Sequence, residues 1–247
     1  MQPIDLLAIA AHPDDAEIGC GGTLLLAKRD GKRTGIVDLT RGELSTRGTL
    51  ESRAKETEAA SRVLGLDYRK NLGMPDGNIE LSRDNVATLV AEIRKTRPTI
   101  VLAPPPKERH PDHEAASELA HRACFYSGLA KYPVDGEPHR PLLVLNYIQT
   151  YSLEPRIIVD VSEVFEDRMR AIEAYGTQFG GKDAKPVDQS LVPEPETFLS
   201  QGGFVDWLRA RSGAWGLMIG AKYGEAFSSP EPLGTKDLFN LVTKTIA

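Results

Sequence analysis

The chain is short of cysteine, of basic charge and of long apolar runs, and each shortage removes a class of protein. Only Cys20 and Cys124 occur in 247 residues, too few for a disulfide framework. Both sit in apolar helical stretches, so two free, buried thiols are expected. No apolar run approaches the roughly 20 residues that span a bilayer. The N-terminal stretch enters a strand without the basic segment and cleavable apolar stretch of a secretory signal, so a cytoplasmic protein away from membranes is expected. The formal charge is -5, from 30 basic and 35 acidic side chains. With no long basic block, nothing suits a phosphate backbone, and nucleic acid is excluded as an expected partner. What is present is ordinary: 40% hydrophobic and 26% charged residues, enough for a full core.

Strand-like runs at Ile4 to Ala10, Thr34 to Leu39, Tyr68 to Leu72 and Thr99 to Ala103 alternate with helical stretches at Ala16 to Asp30, Leu50 to Leu64, Asp84 to Thr96 and Pro111 to Tyr126. That alternation predicts an α/β fold, a doubly wound, mostly parallel sheet with helices on both faces. In the strand order 3-2-1-4 the first and fourth strands are neighbours, and a ligand crevice opens at their carboxyl ends. Further strands are expected at Leu142 to Ile148 and Arg156 to Val161, with helices at Ser162 to Gln178 and Gly203 to Met218 and a loop from Gly180 to Pro195. One domain over 1–247 is expected, its core and site within 1–130 and the rest completing it.

Both strands of the crevice end in the same chemistry. The first runs into AHPDDAEIGCGG (Ala11 to Gly22) and the fourth into RHPDHEAA (Arg109 to Ala116). Within each, the outer residues are three apart, so His12 and Asp15, and His110 and His113, share one face of a first helical turn. His12, Asp15 and His113 are two histidines and a carboxylate, a ligand set that suits zinc with one position left to water. Asp14 points elsewhere around the turn and is a candidate general base, or else a helix cap. His110 is a candidate for the oxyanion or the leaving amine. Asp112 is its candidate partner, expected to raise its pKa and keep it a donor.

The segment Asp38 to Gly48, with Arg41, Glu43 and Arg47, should line the crevice. Arg53 and Arg109 should reach its mouth, and Asp76 lies in a turn after the third strand. Glu43, Arg47, Arg53, Asp76 and Arg109 are therefore candidate substrate contacts, and the arginines suit a carboxylate. The glycines at 19, 21 and 22 do not make a dinucleotide fingerprint. Leu24 stands where a third glycine is required, and two aspartates occupy the phosphate turn. Close packing of the first helix on the sheet is their expected role.

These motifs, AHPDDAEIGCGGT, DLTRGELSTRG, LGMPDG and RHPDHEAA, resemble the zinc-dependent deacetylases of the LmbE and PIG-L type. The resemblance implies a Rossmann-like fold, Zn2+ on His12, Asp15 and His113, Asp14 as base, and His110 with Asp112 on the oxyanion or acid side. It further implies a sugar-conjugate substrate and, for close relatives, hexamers. TRGE followed by a second arginine-glycine pair is most similar to the branch acting on N-acetylglucosaminyl-malate in bacillithiol biosynthesis, with chitooligosaccharides or another N-acetylglucosaminyl conjugate as the alternative. Two competing classes share the ligand trio: a non-haem Fe(II) enzyme using Fe2+, and a metal- or sugar-binding module without turnover.

Overall fold

The computed structural model describes residues 2–179, 197, 199–200 and 203–243. Seven strands, β1 (Leu6–Ala10), β2 (Thr34–Thr40), β3 (Tyr68–Met74), β4 (Ile100–Ala103), β5 (Leu143–Tyr147), β6 (Ile157–Asp160) and β7 (Gly224–Ser228), form one sheet. Their order is β3-β2-β1-β4-β5-β7-β6. Neighbours among β1 to β5 pair in parallel, and β7 runs antiparallel to both β5 and β6. This is the expected α/β sheet, with β1 between β2 and β4.

Alternate residues of β1 serve opposite faces, as the period of 2 requires. Leu6, Ala8 and Ala10 join a core beneath α1 (Asp15–Arg29), α5 (Phe165–Glu173) and α7 (Phe204–Ile219). Leu7 and Ile9 join a second core beneath α3 (Arg83–Thr96) and α4 (Pro111–Ser127). Helix α2 (Leu50–Leu64) begins with a capping box between Thr49 and Ser52.

Two elements differ from expectation. The helix predicted over Ser162 to Gln178 is a 3-10 turn (Ser162–Val164), then α5, then the short α6 (Gly176–Phe179). The chain breaks where Tyr175, fully buried, turns its hydroxyl to Glu17 Oε1 at 2.9 Å. Strand β7 has no counterpart in the sequence reading. The loop expected from Gly180 to Pro195 lies outside the described residues.

Helix α1 is broken at Cys20, whose φ of -151° and ψ of 18° are not helical. The glycine run packs as expected: a Cβ on Gly19 would lie 2.3 Å from the Tyr147 ring, and one on Gly22 2.9 Å from Val161. The break strands backbone groups on both sides, and one buried ion pair recovers them. Arg168 donates to the carbonyls of Glu17 and Ile18 before the break, while Glu225 accepts from the backbone N–H groups of Gly22 and Thr23 after it, at 2.8 and 2.7 Å. The two side chains meet at 2.9 Å with no exposure. Strand β7 thus holds the helix that begins at the site.

Candidate active site

The carboxyl ends of β1 and β4 open into a cleft of about 320 Å3, lined by His12, Asp14, Asp15, Asp76, His110 and His113 among others. Asp14 takes up the N-cap position of α1 at φ 116°, a left-handed conformation costly for any residue but glycine, and its side chain makes no cap hydrogen bond. Its Oδ2 instead accepts from Arg53 Nη1 at 2.8 Å. Arg53, itself buried, also donates to the Pro13 carbonyl and, at 2.6 Å, to Ser45 Oγ. Burial pushes the Asp14 carboxyl up to about 7, against the pull of Arg53.

Asp15 faces the other way, between two imidazoles. Its Oδ2 lies 3.3 Å from His12 Nδ1 and its Oδ1 3.1 Å from His113 Nε2. Each oxygen also has a fixed donor, the His12 backbone N–H for Oδ2 at 2.8 Å and Gln149 Nε2 for Oδ1 at 3.1 Å. Burial pushes this carboxyl upward, but His113 and His12 outweigh it and hold it well below the usual range. The other nitrogen of His12, Nε2, is 3.0 Å from Asp76 Oδ1 and 3.4 Å from Asp112 Oδ2. Those two carboxylates are braced in turn, Asp76 by the Leu44 N–H and Asp112 by the Gly77 N–H, each at 2.8 Å.

His110 is the N-cap of α4, with Pro111 following it. Its Nδ1 accepts the Asp112 backbone N–H at 3.2 Å. Asp112 therefore meets His110 through its backbone, and its carboxylate serves His12, not His110 as expected. The expected rise in the His110 pKa is also reversed: burial, then the neighbouring His12 and His113, lower it. With Nδ1 accepting, a neutral His110 carries its proton on Nε2. The ring centroids of His12, His110 and His113 lie 4.7 to 5.5 Å apart. Among the described residues two sets of donor atoms fall within 4.8 Å of one another, His12 with His110 and His113, and His12 with Asp76 and Asp112.

The expected substrate contacts divide. Arg53, Asp76 and Arg109 line the cleft, and Glu43 and Arg47 do not. Glu43 braces the loop, accepting from the backbone N–H groups of Asp76 at 3.0 Å and Arg41 at 3.2 Å. Arg47 is buried, its carbonyl accepting from Gln178. Arg41 is exposed and borders a neighbouring groove with Asp38, Lys70 and the outer side of Arg53. Asp38, placed where a ribose-binding acid would stand, is paired with Arg69 through two contacts of 2.8 and 2.9 Å.

Other residues of the cleft were not anticipated: Gln149 and Thr150 after β5, Arg211 and Trp207 on α7, and Leu199 and Phe204 before and at its start. One signal was available. In this topology β5 lies beside β4, so its carboxyl end opens on the same crevice.

Residues 7–124 match the family model described as PIG-L, GlcNAc-PI de-N-acetylase. The chain is 31% identical to a diacetylchitobiose deacetylase of Thermococcus kodakarensis, over 89% of this chain and 80% of that one. It is 25% identical to a probable N-acetyl-alpha-D-glucosaminyl L-malate deacetylase of Bacillus cereus, over 70% and 83%. A solved structure of a conserved protein from Thermus thermophilus superposes with a TM-score of 0.85 at 40% identity, over 95% of this chain and 98% of that one. The chain belongs to the PIG-L family of de-N-acetylases, hydrolases that cleave an amide bond.

Proposed function

We propose that this protein is a metal-dependent deacetylase of an N-acetylglucosaminide, with His12, Asp15 and His113 as the metal's donors. The observation that carries this reading is Asp15, whose two oxygens each face one histidine nitrogen from a different cluster. Asp76 and Asp112 accept at His12 Nε2, so they hold the ring's proton there and leave Nδ1 as the nitrogen to give to a cation. The donor chemistry suits zinc, with Fe2+ as the second choice. When bound, the cation supplies Lewis acidity at this donor set.

The remaining steps belong to the chain's own groups. Arg53 occupies Oδ2 of Asp14 and so fixes the carboxylate against the cleft wall, leaving Oδ1 to take a proton from the attacking water. The water oxygen bonds to the acetyl carbon, and His110 Nε2–H donates to the carbonyl oxygen as it gains charge. The C–N bond then breaks, Asp14 returns the proton to the departing amine, and acetate leaves. A binding module would need neither the strained Asp14 nor His110.

Two aglycones are in question. The reading for N-acetylglucosaminyl-malate rests on arginines at the mouth, and Arg109 is the one of the four that lines the cleft without bonding to Asp14. A neutral sugar, as in a chitooligosaccharide, is favoured by the wall of Leu44, Leu199, Phe204 and Trp207, which offers apolar and aromatic faces to the C–H face of a pyranose. Of the two, the wall supports the neutral aglycone better. An acetate-release assay on the metal-loaded protein, comparing diacetylchitobiose with N-acetylglucosaminyl-malate by kcat/KM, tests the choice. Release from neither, at full metal occupancy, overturns the function itself.

A further inference from the structure

Gln149 follows β5 and is buried, 5% exposed. Its Nε2 donates to both the Oδ1 and the backbone oxygen of Asp15, at 3.1 and 3.2 Å. Because both partners only accept, the orientation of the amide is fixed. Its Oε1 then has no hydrogen-bond partner although it is buried, an arrangement that costs stability. A hydrophobic residue of the same length would avoid that cost. Gln149 is also held from behind. Its carbonyl accepts from Arg211 Nη1, and Arg211 is clamped between Trp207 and Trp215, 4.5 and 4.8 Å from the two ring centroids.

We propose that Gln149 is a positioning residue for the metal site, setting the orientation of Asp15 and thereby the affinity for the cation. The inference rests on the reading of His12, Asp15 and His113 as donors. Asp15 Oδ1 is the oxygen that faces His113, so a carboxylate free to rotate would lose its alignment with that imidazole. The neutral amide supplies a donor without adding a charge beside the cation, whereas a lysine there would repel it. Partners of this kind, behind a ligating carboxylate, change metal affinity by about 10- to 100-fold. The anchoring of Gln149 by Arg211 ties the site to α7, on the far part of the chain.

The test is the zinc dissociation constant, measured by competition with a chromogenic chelator, of the wild-type protein and of Gln149→Met. A rise of about 10- to 100-fold is expected, with kcat recovered to within a few-fold once zinc is saturating and with the far-UV circular dichroism of the metal-free protein unchanged. Should Gln149→Met fail to fold, Gln149→Leu is read in the same way. An unchanged dissociation constant, in a variant that still releases acetate, overturns the role of Gln149 and leaves the donor set standing. If the wild-type affinity does not depend on His12 and His113, the donor set fails, and this proposal with it.

Discussion

Replacing Arg168 by methionine tests the link between the broken first helix and β7. Arg168 and Glu225 have no exposure and meet at 2.9 Å, so solvent does not screen them. Removing one partner leaves Glu225 as an uncompensated buried charge, which costs about 3–5 kcal/mol. Two carbonyls at the break, those of Glu17 and Ile18, lose a donor as well. For a chain of this size each kcal/mol moves the unfolding temperature by about 2–4 °C, so a fall of about 6–20 °C is expected by calorimetry or circular dichroism. The double variant Arg168→Met with Glu225→Met removes both charges and should recover part of that loss. It should not recover all of it, because the N–H groups of Gly22 and Thr23 would still lack the acceptor they now have. A single variant that loses less than about 1 kcal/mol would refute the clamp, since breaking a buried pair cannot be that cheap. So would a double variant whose loss equals the sum of the two singles.

Other consequences concern the site. His113→Ala and Asp15→Asn should lose bound metal by elemental analysis, while His110→Ala should keep it; loss in His110→Ala would instead favour the three-histidine donor set. Asp14→Asn should retain metal but lower kcat by about 10² to 10⁴, the usual worth of a general base, and near-normal turnover would place the base elsewhere. Gly19→Ala should destabilise the fold by about 1–3 kcal/mol in urea unfolding, because its Cβ would lie 2.3 Å from the buried Tyr147 ring; an unchanged midpoint would show that the ring yields freely. Arg109→Ala should lower kcat/KM for N-acetylglucosaminyl-malate more than for diacetylchitobiose, and equal effects would remove Arg109 from aglycone recognition.

The first half of the sheet was legible because its signals are local. Apolar strands end in His-Pro-Asp motifs, and adjacency of β1 and β4 follows from the parallel order. Strand β7 escaped because its sequence, Gly-Glu-Ala-Phe-Ser, carries a buried glutamate in place of an apolar residue. Its partner Arg168 lies on α5, where no local pattern points to it. Within the site, the titratable cluster could be read from spacing, but which nitrogen faces which oxygen could not. Asp112 was assigned to His110 by proximity in sequence, and only the fold brings its carboxylate to His12 and Gly77. Gln149 was invisible to a search for titratable groups, since an amide acts here by donating a hydrogen bond. Arg41 and Arg47 are expected from the sequence to line the crevice, but the loop after β2 leaves Arg41 exposed outside it and buries Arg47. Arg53 became the partner of Asp14 for a related reason: α2 starts close enough to α1 for its first turn to reach the Asp14 carboxylate.

The most direct test of the central claim is acetate release from diacetylchitobiose, measured on protein stripped of metal by a chelator and on the same protein reloaded with zinc. The account predicts no release from the stripped protein, release restored by about one zinc per chain, and no restoration in His113→Ala at the same zinc concentration. Equal acetate release with and without metal would contradict it, as would full restoration in His113→Ala.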